Sequence, residues 1–244
     1  MDQEKIAIFY HVYQCKDWEN LFYNQINSLI ISGLYHACDL IYIGINGDKE
    51  LPINLPKFKV HYNLDKSTEN DTLKSLYEFC VDNQDHKVMY FHTKGVTTNW
   101  LYIAKWRYYL EYFIIHRWED CVKELNSNDV VGTEYLTYST LMNHDTGEME
   151  TESNHHYSGN FWWANSSYII KLDPNYLSLT DKGWLRYRSE FWIGTKNPKA
   201  LEFYNSLMDK GGEYENITPL DYVNKNHLPN QNPQTNFNSN IPSS

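Results

Sequence analysis

The sequence predicts a three-layer α/β/α fold, Rossmann-like, with a mainly parallel central sheet. Two observations predict it. Short apolar runs alternate with amphipathic helical patterns through the first ninety residues, as strands alternate with crossover helices. At 244 residues the chain is also long enough to bury a sizeable core.

In order, KIAIFY (5–10) has strand composition. Residues 17–32 show helical spacing, with Trp18, Phe22, Ile26, Leu29 and Ile30 on one side, Asp17 as a candidate cap and Gly33 as the stop. DLIYIGIN (39–46) and FKVHY (58–62) are the next strands. Residues 69–82 form a helix with Leu73, Leu76, Phe79 and Cys80 inside, and KVMYF (87–91) is the fourth strand. A long helix is expected from about Asn99 to Leu125, with Trp100, Ile103, Ala104, Trp106, Leu110, Phe113, Ile114 and Trp118 as a broad apolar surface. DVVGTEYL (129–136) reads as a strand, 143–156 as a polar hairpin or flap, GNFWWA (159–164) as a strand and about Pro198 to Met208 as a last helix. Residues 226–244, rich in Asn, Pro, Ser and Gln, read as a disordered tail after a single domain spanning 1–225.

Composition excludes several classes. There are 31 acidic against 21 basic residues, a net charge of -10, and no Lys/Arg cluster of the kind a nucleic-acid binder carries. No run approaches the ~20 apolar residues of a membrane span, and no signal sequence precedes the first strand, so a cytoplasmic location is expected. The four cysteines show no CxxC and read as reduced, buried thiols. Aromatic residues make up 16% of the chain, with 21 Tyr and 8 Trp, rings able to pack inside or to line a polar-substrate cleft.

The chemistry concentrates where strands end. In open α/β sheets ligands bind beyond the carboxyl ends of the strands, which puts His11 and His92 on one edge. VMYFHTKGV (88–96) breaks from an apolar run into His92, Thr93, Lys94 and Gly95. That tetrapeptide reads either as a plain turn with Gly95 at positive φ, or as an anion-holding set of an ammonium, a backbone amide and an imidazole. Neither GxxxxGK[ST] nor GxGxxG is present. In HHYSGNFWWANSSYI (155–169), Trp162 and Trp163 face opposite ways on a strand, so that core packing claims at least one of them. His156, Ser158 and Asn160 beside those rings resemble a sugar-holding mixture. RYRSEFWIG (186–194) sets Glu190 among apolar residues near Arg186 and Arg188, as a structural ion pair or as a general base. Asp173, Asp181 and Glu202 fall in expected loop or exposed-helix settings, and Asp145, Glu148 and Glu150 in the flap.

Taken together, IFYHVY, SGLY, the T-L-x-x-L-Y helix leading into MYFHTKG, then SGNFWWA and EFWIG resemble GT-A-type glycosyltransferases over about residues 5–210. More closely, they resemble the small glycosyltransferase-like proteins of giant viruses and bacterial polysaccharide loci. The resemblance implies a nucleotide-sugar-binding half (1–98) and an acceptor half (99–225), with a UDP-, dTDP- or GDP-linked sugar donor and a glycan or glycoprotein acceptor. It implies that Tyr10, His11 and Tyr13 line the nucleoside, that Glu69 and Thr72 reach the base or ribose, and that Arg107 approaches the diphosphate beside His92, Lys94 and Gly95. His156, Ser158, Asn160, Trp162 and Trp163 then hold the acceptor, and Glu190 is the base of an inverting transfer. The family's metal-holding Asp-x-Asp (for Mn or Mg) is replaced here by His92-Thr93-Lys94. Lys94 in place of the metal, or His92 as a single ligand, are both open on this reading. The alternative is an inactive GT-A-like module that binds a sugar or nucleotide; a hydrolase needs a second carboxylate that the local sequence does not supply.

Overall fold

The computed structural model describes residues 4–63, 68–98, 100–142, 147, 149–178, 187–205 and 218. Its first half runs β1 (Ile6–Tyr13), α1 (Trp18–Ile31), α2 (Leu34–Ala37), β2 (Leu40–Asn46), β3 (Phe58–Asn63), α3 (Glu69–Asp82) and β4 (Lys87–His92), each within a few residues of its expected place except the short α2, which was not expected. α3 coincides with its expected span because Thr68 caps it, accepting from the Asn70 N–H. The second half is less regular. α4 (Leu101–Glu111) passes into a π-helical turn (Tyr112–His116) and then α5 (Trp118–Glu124). β5 (Val130–Gly132), β6 (Tyr135–Leu136), β7 (Ser139–Met142), β8 (Met149–Glu152), β9 (His156–Tyr157) and β10 (Trp162–Asn165) follow, then α6 (Ser166–Ile169), α7 (Arg188–Phe191) and β11 (Ala200–Glu202).

Seven strands form one sheet in the order β3-β2-β1-β4-β10-β5-β11. β10 alone among them runs antiparallel to its neighbours, so the sheet is mainly parallel. Strand alternation sorts the core into two layers. Ile6, Ile8, Tyr10 and Val12 pack toward α1, α4 and α5, whereas Ala7 and Phe9 pack toward α3 and α6. The result is the three-layer α/β/α architecture expected from the sequence.

Three expectations are corrected. The single helix over 99–125 is interrupted, since the Arg117 N–H bonds five residues back to the Tyr112 carbonyl. That bulge turns the Ile114 carbonyl to the Trp163 indole, which donates to it at 2.8 Å. The last helix is instead β11, because Ala200–Glu202 pairs in parallel with Val130–Gly132 and closes an open edge of the sheet. Glu202 is therefore buried rather than exposed, with the Tyr135 N–H donating to it at 2.6 Å. On the helix faces, Ile30 and Trp100 are exposed, not inward. The tail at 226–244 lies outside the described residues, as do Asp145, Glu148, Asp181 and Arg186.

Trp163 is fully buried and carries the hydrogen bond that steadies the π-turn. Trp163→Ala should therefore lower unfolding free energy by about 3–5 kcal/mol, read from urea denaturation. A loss below about 1 kcal/mol would show that the bulge does not depend on this ring.

Candidate functional site

The sheet order reverses direction between β1 and β4, since β2 and β3 extend one way and β4, β10 and β5 the other. The strand ends at such a switch point leave a crevice. Here the register pairs His11 directly with His92, and the Thr93 N–H continues the ladder to the His11 carbonyl at 3.0 Å. The Thr93 hydroxyl accepts from the Tyr13 N–H at 2.9 Å. Above these ends opens a cavity of about 790 Å³, within the range of small-ligand sites.

One wall is built on the N-terminus of α3. Glu69 accepts from the Tyr90 hydroxyl at 3.0 Å and the Asn160 amide at 2.9 Å, and stands 3.7 Å from His92 Nδ1. Burial pushes the Glu69 carboxyl up, but the His92 and His11 rings and these two donors outweigh it and hold it below its ordinary range. His92 Nε2 lies 3.0 Å from the Gly159 carbonyl. A carbonyl only accepts, so Nε2 carries the proton and Nδ1 faces Glu69. Burial holds His92 down, and His11, bonded through Nδ1 to the Thr72 hydroxyl at 2.9 Å, is lowered to about 4.

A second wall carries Glu190, which accepts from the Gly159 N–H at 2.6 Å. Gly159 has φ +95, and a Cβ there would press on Leu110, Lys94 and Trp106. Asn160 follows at φ +56, a left-handed conformation that asparagine tolerates. The Asn160 carbonyl oxygen accepts from the Trp162 indole at 2.8 Å while its amide reaches Glu69. His156 donates from Nδ1 to the Asn154 carbonyl at 2.7 Å and meets the Phe191 ring edge-on.

The floor is the His-Thr-Lys-Gly turn. The Lys94 ammonium sits 3.7 Å from the centre of the Trp106 ring. Gly95, at φ +79, packs against Ile103 with no room for a side chain. Arg107 does not line the cavity; it donates to the Lys94 carbonyl at 2.9 Å from below. Behind it, Glu111 stands 3.7 Å from Arg107 and accepts from Gln25 at 2.7 Å, and Gln25 in turn accepts from Tyr10 at 2.5 Å and donates to the His92 carbonyl at 3.2 Å.

Of the residues singled out by sequence, His11, Tyr13, Glu69, His92, Lys94, Gly95, His156, Ser158, Asn160 and Glu190 share this one cavity. Five do not line it. Tyr10, Trp162 and Trp163 are fully buried, because they stand on interior strands and their rings pack into the helical layers that cover the sheet. Thr72 is buried behind His11, and Arg107 beneath the turn. Asn46, Thr97, Tyr138 and Tyr187 line the cavity without having been anticipated. Asn46 had a signal, since it ends β2 at the same sheet edge. As for a divalent ion, among the described residues no group of three or more His, Cys, Asp or Glu is placed to hold one. Tyr90 and Asn160 both donate to Glu69 Oε2, and His92 Nδ1 lies 3.7 Å from its Oε1. Among the described residues the protein alone thus supplies no complete metal-ligand set.

Residues 46–183, more than half of the chain, match the family described as Domain of unknown function (DUF8361). The chain belongs to this family. No curated protein sequence matches it. Among solved structures, it is similar to the crystal structure of 4-diphosphocytidyl-2C-methyl-D-erythritol synthase, with TM-score 0.39 and 10% identity over 84% of this chain and 89% of that one. It is similar also to the bifunctional IspDF from Campylobacter jejuni, with TM-score 0.38 and 11% identity over 82% of this chain and 48% of that one. Among the described residues no helix is long and apolar enough to cross a membrane.

Glu111 gives the support beneath the turn a pH signature. Burial pushes its carboxyl up to about 7, from an ordinary value of 4.5. Between those values the folded state keeps a proton that the unfolded chain has lost, so this group costs stability as pH rises through the window. The Tm of Glu111→Gln minus that of wild type should therefore increase from pH 5 to pH 7.5. A flat difference would mean that Glu111 ionises normally in the fold.

Proposed function

We propose that the protein is a nucleotide-sugar-dependent glycosyltransferase, transferring a sugar to a hydroxyl of a glycan or glycoprotein acceptor with inversion. The observation that supports this most is that one cavity at the strand ends holds both an ammonium, Lys94 over the Trp106 ring, and a carboxylate, Glu190 on the Gly159 N–H. The donor's phosphates lie beside the Lys94 ammonium and the turn amides, with the nucleoside toward Tyr13 and Asn46. The acceptor hydroxyl approaches Glu190. Its oxygen forms a bond to the anomeric carbon as the bond to phosphate breaks, the electron pair leaves on the phosphate and the proton passes to Glu190. Lys94 stabilises the charge that develops on the leaving group. No step is routed through a metal.

Glu69 does not act as a second acid in this reading. It is held ionised and engaged by its donors, which disfavours the two-carboxylate hydrolase even though the fold brings Glu69 into the same cavity.

The test is nucleotide release from a panel of UDP-, dTDP- and GDP-sugars, with thermal shift to report binding. A bound nucleoside diphosphate at a hundredfold excess over its Kd should stabilise the protein by about 2.7 kcal/mol. Lys94→Ala should reduce that stabilisation while the unliganded Tm stays near wild type. Equal stabilisation of both proteins would remove Lys94 from the site. Glu190→Gln should cut turnover by roughly 10²–10⁴ with donor binding retained. Binding without turnover in the wild type would favour the inactive-module reading, and neither binding nor release across the panel would overturn the proposal.

A further inference from the structure

A second cavity, of about 290 Å³, adjoins the first, and Phe191 lines both. At ~30 Å³ for each water it has about ten waters' worth of space, the scale of one sugar ring. Ser153 and Thr195 bring hydroxyls, Asn154 and Asn197 amides, His155 an imidazole, and Tyr176 and Phe191 rings. Among the described residues the lining holds no carboxylate, ammonium or guanidinium. An ion thus finds no opposite formal charge in that lining, whereas a hydroxyl-rich neutral molecule finds donors, acceptors and rings together.

The pocket is built rigidly. Gly194 packs so closely on the His155 carbonyl that a Cβ would lie 1.6 Å from it, which locks the strand-end segment 153–155 onto the turn at 192–194. Thr195 donates to the Trp192 carbonyl at 2.9 Å, and the Asn197 N–H to the Gly194 carbonyl at 3.0 Å, with Asn197 at φ +47. His155 is tied through Nδ1 to the Tyr135 hydroxyl at 3.1 Å. Glu190 precedes Phe191 directly, so whatever enters this pocket lies one residue of wall away from the proposed base.

We propose that the second cavity holds a neutral sugar unit of the acceptor, one unit along from the sugar that reacts beside Glu190. This rests on the reading of the main cavity as a transfer site, and it makes the preferred acceptor an oligosaccharide rather than a single sugar.

Saturation-transfer NMR on the full chain tests it, with lactose, cellobiose and N,N′-diacetylchitobiose against glucose, galactose and N-acetylglucosamine. At least one disaccharide should bind more tightly than its monosaccharide. Thr195→Trp, which fills the pocket, should abolish that advantage. Asn197→Gly keeps the left-handed backbone but removes the amide, and should weaken disaccharide binding roughly fivefold, the scale of one lost hydrogen bond. Both variants should keep wild-type stabilisation by nucleoside diphosphate. If no disaccharide binds the wild type, or if all bind the two variants as they bind the wild type, the proposal is overturned. Nucleotide-sugar turnover without any Thr195 dependence would sink this inference alone. Thr195-dependent saccharide binding without nucleotide-sugar turnover would sink the transferase reading and leave the pocket as a sugar site.

Discussion

The two backbone groups of Gly159 join the walls of the cavity. Its N–H is donated to Glu190 and its carbonyl accepts from His92, so a single residue fixes the Glu190 carboxylate relative to the end of the central strand. Only a residue without a side chain serves there, at φ +95 and pressed against Leu110, Lys94 and Trp106. Asn160 extends the link. Its amide spans from the Trp162 indole in the core to Glu69 at the head of α3, and glycine at the same φ would lose that bridge. Hydrogen bonds thus run from Glu190 through the turn to His92 and Glu69, all on secondary-structure ends rather than on long loops. This is the arrangement that holds catalytic geometry most firmly.

The same arrangement sets the electrostatics. Burial keeps His11 and His92 below their ordinary pKa, so near neutral pH the rings are polar groups rather than charges. Among the described residues, the charges that face the cavity are then Lys94 on the floor and the carboxylates Glu69 and Glu190 on the walls. Under the proposed function, an anionic group is attracted by Lys94 and repelled by the two carboxylates. An imidazole beside Glu69 adds reserve. Should an anion raise His92's affinity for a second proton, Nδ1 already faces a carboxylate 3.7 Å away that would balance the new charge.

The first ninety residues were legible because a buried parallel sheet leaves a strong imprint. β1, β2 and β4 are apolar runs bounded by polar residues, and α3 has both a cap and a clean inner face. Strand ends then located His11, His92 and Lys94 through topology alone. The second half was harder to read. Its strands are two to four residues long, too short for alternation to register, and β11 takes its conformation from pairing with Val130–Gly132 rather than from its own residues. Trp162 and Trp163 were misjudged for a related reason. Aromatic residues beside Ser158 and Asn160 suggest a sugar platform, but β10 is an interior strand with β4 and β5 on either side, and both rings are consumed by the core. Residue patterns do not bring Glu69 and Glu190 together, since the two lie more than a hundred positions apart; only the family resemblance put both in one site.

Arg107 shows how sequence proximity to a site differs from membership in it. A guanidinium on the helix after the His-Thr-Lys-Gly turn invites assignment to a phosphate, yet its NH1 is spent on the Lys94 carbonyl and its Nε faces Glu111. From there the chain of contacts continues through Gln25 to Tyr10 and to the His92 carbonyl. Tyr10, Gln25 and Glu111 are buried together between the sheet and its helical layer. Buried polar groups of this kind are costly unless each finds a partner, and their mutual satisfaction leaves the turn few alternatives. Lys94 is consequently presented by a backbone held from below at two carbonyls, its own and that of His92. Under the proposed function, a lysine so held would meet an anion without reorganising the strand that carries it, and less binding energy would be lost to ordering the site.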